Sequence, residues 1–159
     1  MRSDYGNAEI DNHDDGKGTM EAAYWGTSHD HLSRHGAGSG PWVMADLEDG
    51  LWAGNESSNP RNVPIKADFV TALVKGRPGA FAVKGGDAQS GRLTTFYEGP
   101  TPKGYSPMKK QGAIILGIGG DNSDRASGTF FEGAITRGYS SEATDAAVQA
   151  SIVAAGYGT

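Results

Sequence analysis

An all-β fold, arranged as an antiparallel β-sandwich with one short carboxyl-terminal helix, is predicted by three features of this sequence. Glycine supplies 25 of the 159 residues, more than double its usual share and without a Gly-X-Y period, which indicates many tight turns and not a collagen-like rod. Short runs with a period of two alternate with turn signals at the intervals of a sandwich. Only one segment has a helical pattern. The length fits a single domain, 1–159, able to bury a real core, and neither a repeat nor a linker divides it.

Residues 19–25 alternate Met20, Ala22 and Tyr24 against Glu21, Ala23 and Trp25, between a polar loop at 11–18 and Gly26. A second polar stretch, 27–40, leads to Pro41, which is tolerated at a strand start. In the strand 41–48 a period of two puts Val43, Ala45 and Leu47 on one face and Trp42, Met44, Asp46 and Glu48 on the other. The first face is purely apolar and reads as core. The second combines large apolar groups with two carboxylates, the composition of a sugar-binding surface.

Residues 67–75 form a longer strand, with Phe69, Thr71 and Leu73 opposing Val70, Ala72 and Val74. Strands at 80–84 and 93–98 follow, set off by Gly85-Gly86 and Ser90-Gly91, so the three make a meander. The loop 99–110 holds three prolines, and 113–118 is a continuous apolar strand, buried on both faces, that stops at Gly119-Gly120-Asp121-Asn122. The last strand is expected at 129–137. Ser140 or Ser141 then caps a helix with Glu142 and Asp145 in its first turn, near the positive end of the dipole. Val148, Ile152 and Ala155 share one helix face, and Gly156 supplies the stop. An isolated helix this short is marginal in water, so it needs a surface to dock on.

The formal charge of -5, from 19 acidic and 14 basic residues, is scattered along the chain. Without a basic stripe to neutralise phosphates, nucleic acid is not an expected partner. No apolar run approaches the ~20 residues that span a bilayer, so no membrane partner is expected either. The absence of cysteine excludes disulfides and thiolate metal sites. Residues 1–7 lack the basic and apolar regions of a signal peptide, which taken literally means a cytoplasmic product. His13, His29, His31 and His35 lie in polar loops. Although His31 and His35 stand four apart beside Asp30, solvated loop histidines, or histidines lining a pocket, fit this Ser- and Gly-rich stretch better than a metal site. The stretch Asp11-Asn12-His13-Asp14-Asp15-Gly16 lacks the third-position ligand and the final glutamate of a calcium loop, so no metal or cofactor is expected.

Asp46, Glu48 and Asp121 are the candidate catalytic groups. Hydrolysis of a glycosidic bond usually needs two carboxyls flanking the anomeric carbon, about 5 Å apart when the ionised one attacks carbon directly. Asp46 and Glu48 share a strand face about 7 Å apart at ~3.4 Å per residue, close enough for like-charge repulsion to raise one pKa. A polar outer sheet face explains the same pair. Asp121 follows two glycines whose lack of side chains lets a ligand approach the backbone; a solvated Asx-type turn explains it equally.

Several long stretches resemble the catalytic domain of the α-L-arabinofuranosidase B family, glycoside hydrolase family 54. They are Asp4-Tyr5-Gly6-Asn7-Ala8-Glu9, Gly38-Ser39-Gly40-Pro41-Trp42-Val43-Met44-Ala45-Asp46-Leu47-Glu48, and Gly112-Ala113-Ile114-Ile115-Leu116-Gly117-Ile118-Gly119-Gly120-Asp121-Asn122-Ser123, with Gly128-Thr129-Phe130-Phe131-Glu132-Gly133 and the helix sequence from Val148 to Ala155. The resemblance implies a concanavalin-like sandwich that releases terminal arabinofuranosyl groups from arabinan and arabinoxylan with retention. On the family pattern Glu48 falls at the nucleophile and Asp121 at the general acid/base. Asp46 falls at a carboxylate that binds the sugar hydroxyls, and Gly120 lies against the sugar.

Some positions depart from that pattern. Family members carry two adjacent cysteines as a disulfide pocket floor where Met1-Arg2 stands here, and two asparagines after the nucleophile where Asp49 and Gly50 stand, placing the last two at substrate-binding positions. A family tryptophan at the pocket wall has no clear equivalent around 29–35. The resemblance further implies that the chain corresponds to the second half of the catalytic domain, so self-association through exposed strand edges is expected. It also implies an extracellular location. Two hypotheses follow: a retaining arabinofuranosidase, or a truncated, non-catalytic carbohydrate-binding remnant of the same family.

Overall fold

The computed structural model describes residues 2–5, 21–27, 35–47, 51–103, 114–115 and 128–159. Among these the elements run β1 (Arg2–Tyr5), β2 (Glu21–Gly26), β3 (His35–Gly36), β4 (Trp42–Asp46), β5 (Leu51–Trp52), β6 (Ser58–Asn59), β7 (Val70–Arg77), β8 (Ala80–Asp87), β9 (Thr94–Pro100), β10 (Ile114–Ile115) and α1 (Glu142–Ala154). A five-stranded sheet has the order β10-β1-β2-β4-β5, a three-stranded sheet the order β7-β8-β9, and every neighbouring pair in both is antiparallel. The short pair β3 and β6 is parallel. The all-β expectation with one short helix holds, and so does the meander. Among the described residues no helix is long and apolar enough to cross a membrane.

The core sits where the period of two in β4 puts it. Val43, Ala45 and Leu47, with Trp52, meet Phe81, Val83 and Phe96 from the three-stranded sheet in one buried cluster. Each such side chain taken wholly out of water contributes roughly 1.5–3 kcal/mol. Gly85-Gly86, expected to separate strands, lies inside β8, paired with Ala72 and Thr71. The reason is packing: a Cβ on Gly85 would come within 2.8 Å of both Val43 Cγ2 and Ile65 Cδ1. Glycine here marks close approach of the two sheets and not a turn.

Three further expectations are corrected. The opposite face of β4 is not an open surface at Trp42 and Met44, because both are buried with Leu51 and Ala53 in a second cluster flanked by Tyr24. Residues 129–137, expected as the last strand, join no ladder among the described residues and are exposed throughout. A period of two is not enough, because a strand also needs a partner for its backbone; Phe131 instead packs on the rings of Phe69 and Tyr157, 5.1 and 5.4 Å away.

The helix begins at Ser141, whose hydroxyl accepts from Thr144 N at 3.2 Å, and is followed by Gly156 at φ 70°. Its docked face differs from the expected one. Asp145 and Gln149 are buried, while Val148 is 45% exposed. Gln149 Nε2 donates to the Asp87 carbonyl at 2.8 Å, and Asp145 meets lysines on β7 and β8. Polar partners on the sheet have rotated the helix away from its apolar stripe.

Candidate functional site

Asp46, the last residue of β4, is the one predicted site residue that the described structure contains. It lies in register with Ala22 of β2 and Leu51 of β5 and is 1% exposed. Burial of a carboxylate is costly unless the surroundings receive it, which is why such a position at the end of a packed strand suggests function. Glu48, Asp49, Gly50, Gly120 and Asp121 lie outside the described residues. The segment toward Asp121 enters the same sheet as β10, where Ile115 pairs with Asp4, Asp4 with Ala22 and Ala22 with Asp46 in one row. Three ladder steps of ~4.8 Å separate the two ends of that row.

β4 is approached through a loop that wraps its own first residue. Trp42 Nε1 donates to the Ala37 carbonyl at 2.7 Å. Gly36 and Gly40 give the indole room, since a Cβ at either would lie 2.5 or 3.0 Å from its ring atoms. Gly40 has φ 76° and precedes a cis Pro41. His35 is not a solvated loop residue: it is half-buried in β3, its ring 5.6 Å from that of Trp42. His13, His29 and His31 lie outside the described residues. Among the described residues no group of three or more His, Asp or Glu is placed to hold a metal ion.

Two buried asparagines that the sequence reading did not single out brace the hairpin of β4 and β5. Asn62 Nδ2 donates to the carbonyls of Val43 at 2.7 Å and Ala53 at 3.5 Å. Asn59 Nδ2 donates to those of Ala53 at 2.8 Å and Phe96 at 3.0 Å. Together they tie β4, the chain after β5 and β9 into one frame. Tyr97 borders this frame, and burial, then the charge of Glu56, pushes its phenol up. In sequence the asparagines sit in the run Ser57-Ser58-Asn59-Pro60-Arg61-Asn62, which carries only the signal of a turn.

Comparison with known proteins converges on one family. A family model described as "Alpha-L-arabinofuranosidase B, catalytic" matches residues 2–158. "Arabinofuranosidase/B-xylosidase" of Trichoderma koningii and "Alpha-L-arabinofuranosidase" of Hypocrea jecorina are each 55% identical over 157 residues, covering 97% of this chain and 31% of their own. "Alpha-L-arabinofuranosidase B" of Aspergillus oryzae is 56% identical over the same shares. The chain thus spans 31% of the length of these relatives. Among solved structures, an arabinofuranosidase complexed with arabinofuranosyl-α-1,2-xylobiose superposes with a TM-score of 0.84 at 50% identity, over 97% of this chain and 32% of that one. A family-54 α-L-arabinofuranosidase soaked with a cyclic sulfate inhibitor gives 0.84 at 51% identity, over 96% and 32%.

Proposed function

The chain belongs to the α-L-arabinofuranosidase B catalytic family, and on that premise we propose that it carries the catalytic carboxylates of a retaining α-L-arabinofuranosidase acting on arabinose-containing polysaccharides or oligosaccharides. The observation that carries the proposal is the family match from residue 2 to 158, spanning Asp46, Glu48 and Asp121. The buried placement of Asp46 at the end of β4 supports it.

In the proposed reaction Glu48 attacks the anomeric carbon as the bond to the leaving oxygen breaks, and Asp121 gives that oxygen its proton. Asp121 then takes a proton from water, which attacks the same carbon and frees Glu48 as carboxylate. Asp46 holds sugar hydroxyls, with Asp49, Gly50 and Gly120 lining the site. No metal or cofactor enters these steps. An extracellular location and self-association through strand edges belong to the same proposal.

Hydrolysis of an aryl α-L-arabinofuranoside tests it. Activity should vanish in Glu48→Gln and persist in Asp121→Asn only for substrates with good leaving groups, which need little acid assistance. Equal rates for wild type and Glu48→Gln would overturn the assignment. Arabinose binding without turnover by the wild-type chain would favour a non-catalytic carbohydrate-binding module instead.

A further inference from the structure

The attachment of α1 to the meander is ionic where a core helix would be apolar. Asp145, 3% exposed, accepts through Oδ2 from Lys75 Nζ and Lys84 Nζ, each at 2.7 Å. Its other oxygen accepts from the Ser140 hydroxyl. Lys75 Nζ also donates to the Ser140 carbonyl at 2.9 Å and to Glu142 Oε1 at 3.3 Å, and Lys84 Nζ donates to the same Glu142 oxygen. Lys75 stands beside Ala82, and Lys84 beside Leu73, so the two lysines are diagonal neighbours on one sheet face. Two buried cations therefore depend on one buried and one exposed carboxylate, both from the first turn of α1.

Every element packed on this cluster contributes to its charge. β7 supplies Lys75 and Arg77, both of which lie over the Tyr139 ring, 4.6 and 4.8 Å from its centroid. β8 supplies Lys84 and Asp87; the Asp87 carboxylate is turned to Gln89 N and the Ser90 hydroxyl. β9 supplies Glu98, which accepts from the Tyr139 hydroxyl at 3.0 Å. None of these replaces Asp145 as the shared acceptor of the two lysines.

We propose that α1 is an ion-locked clasp on the outer face of the meander, released as a unit when its carboxylates are protonated while the two-sheet core remains folded. Protonating Asp145 and Glu142, the two carboxylates that Lys75 and Lys84 share, leaves both lysines in a nearly dry site with like charge and no shared anion, and exposure of both to water relieves this. The core cluster itself contains no ionisable group, so protonation removes no contact within it. Burial opposes ionisation of Asp145, but the bonds from Lys75, Lys84 and Ser140 outweigh it and hold the carboxyl below its ordinary value. Lys84 holds Glu142 low in the same way. For carboxyls depressed in the folded state, the stabilisation is present above the ordinary value near ~4 and is lost as pH falls through the folded values. The clasp stands apart from the glycosidase proposal and would exist whether or not the chain turns over a substrate.

Amide hydrogen exchange on the 159-residue chain tests it, with intrinsic rates corrected at each pH. Between about pH 6 and pH 2, protection across α1 should be lost as the depressed carboxyls take up protons, while β8 keeps its protection. Asp145→Asn should lose α1 protection already at neutral pH. A triple variant, Lys75→Met, Lys84→Met and Asp145→Leu, should keep α1 protected across the range, because it removes both buried cations together with their buried anion and leaves only the exposed Glu142. If Asp145→Asn does not fold, Glu142→Gln should still shift the release upward in pH, since Glu142 is exposed and its loss spares Asp145. Joint loss of α1 and β8 protection would overturn the proposal, as would acid release that persists in the triple variant.

Discussion

Replacing Gly85 by alanine tests the account of how the two sheets meet. The new Cβ would lie 2.8 Å from Ile65 Cδ1, 2.8 Å from Val43 Cγ2 and 3.1 Å from Phe96 Cε2, where carbon pairs settle at about 3.5–4.0 Å. Val43 and Phe96 are core residues held on several sides, so they can yield only by moving a strand. Overpacking of this kind costs typically ~1–3 kcal/mol, while alanine recovers roughly 0.5–1 kcal/mol of the backbone entropy that glycine loses. The net expectation is a loss of about 1–2 kcal/mol, read as a lower urea midpoint with an unchanged slope. Adding Val43→Ala removes one of the crowding atoms, so the double variant should lose less than the sum of the single losses, by about 0.5 kcal/mol or more. A midpoint at or above wild type, or strict additivity with Val43→Ala, would refute the reasoning.

Two other outcomes follow from single side chains. Asn62→Ala removes the donor to the Val43 carbonyl in a fully buried site; a loss of about 1–3 kcal/mol is expected, and an unchanged thermal midpoint would dismiss the brace. Burial, and then the bond to Glu98, push the Tyr139 phenol up to about 12, against the opposing charges of Arg77 and Lys84. The folded state thus favours neutral Tyr139, a contribution intact below the ordinary value near ~10 and lost as pH rises through the folded one. Phenolate absorbance should show a late ionisation that Tyr139→Phe abolishes and Glu98→Gln moves earlier; the same titration curve in all three proteins would rule this out.

The parts of the fold legible from sequence are those governed by local periodicity. Val43, Ala45 and Leu47 alternate cleanly and do form the core face, and Ser141 and Gly156 bound the helix through backbone geometry that neighbours determine. What escaped depends on partners remote in sequence. Lys75 and Lys84 look like solvated strand residues until Asp145 covers them, and the polar side of α1 looks like its outer side for the same reason. Trp42 and Met44 were readable as large apolar groups, but whether they faced a ligand or a second cluster depended on Leu51 and Ala53. For the site, Asp46 was legible as a carboxylate on the mixed face of its strand, whereas Asn59 and Asn62 were hidden by residue types that turns also favour.

The register of the larger sheet bears on how the chain assembles. Asp4 pairs with Ile115, far along the sequence, while the strands of the meander join through short connections between residues 70 and 100. Closing long loops before their contacts form slows folding, so the meander can organise early, and of the two neighbours of β1 the nearby β2 pairs before the distant β10. During synthesis β1 leaves the ribosome well before its outer neighbour exists, and β2 and β4 can pair while that edge is still open.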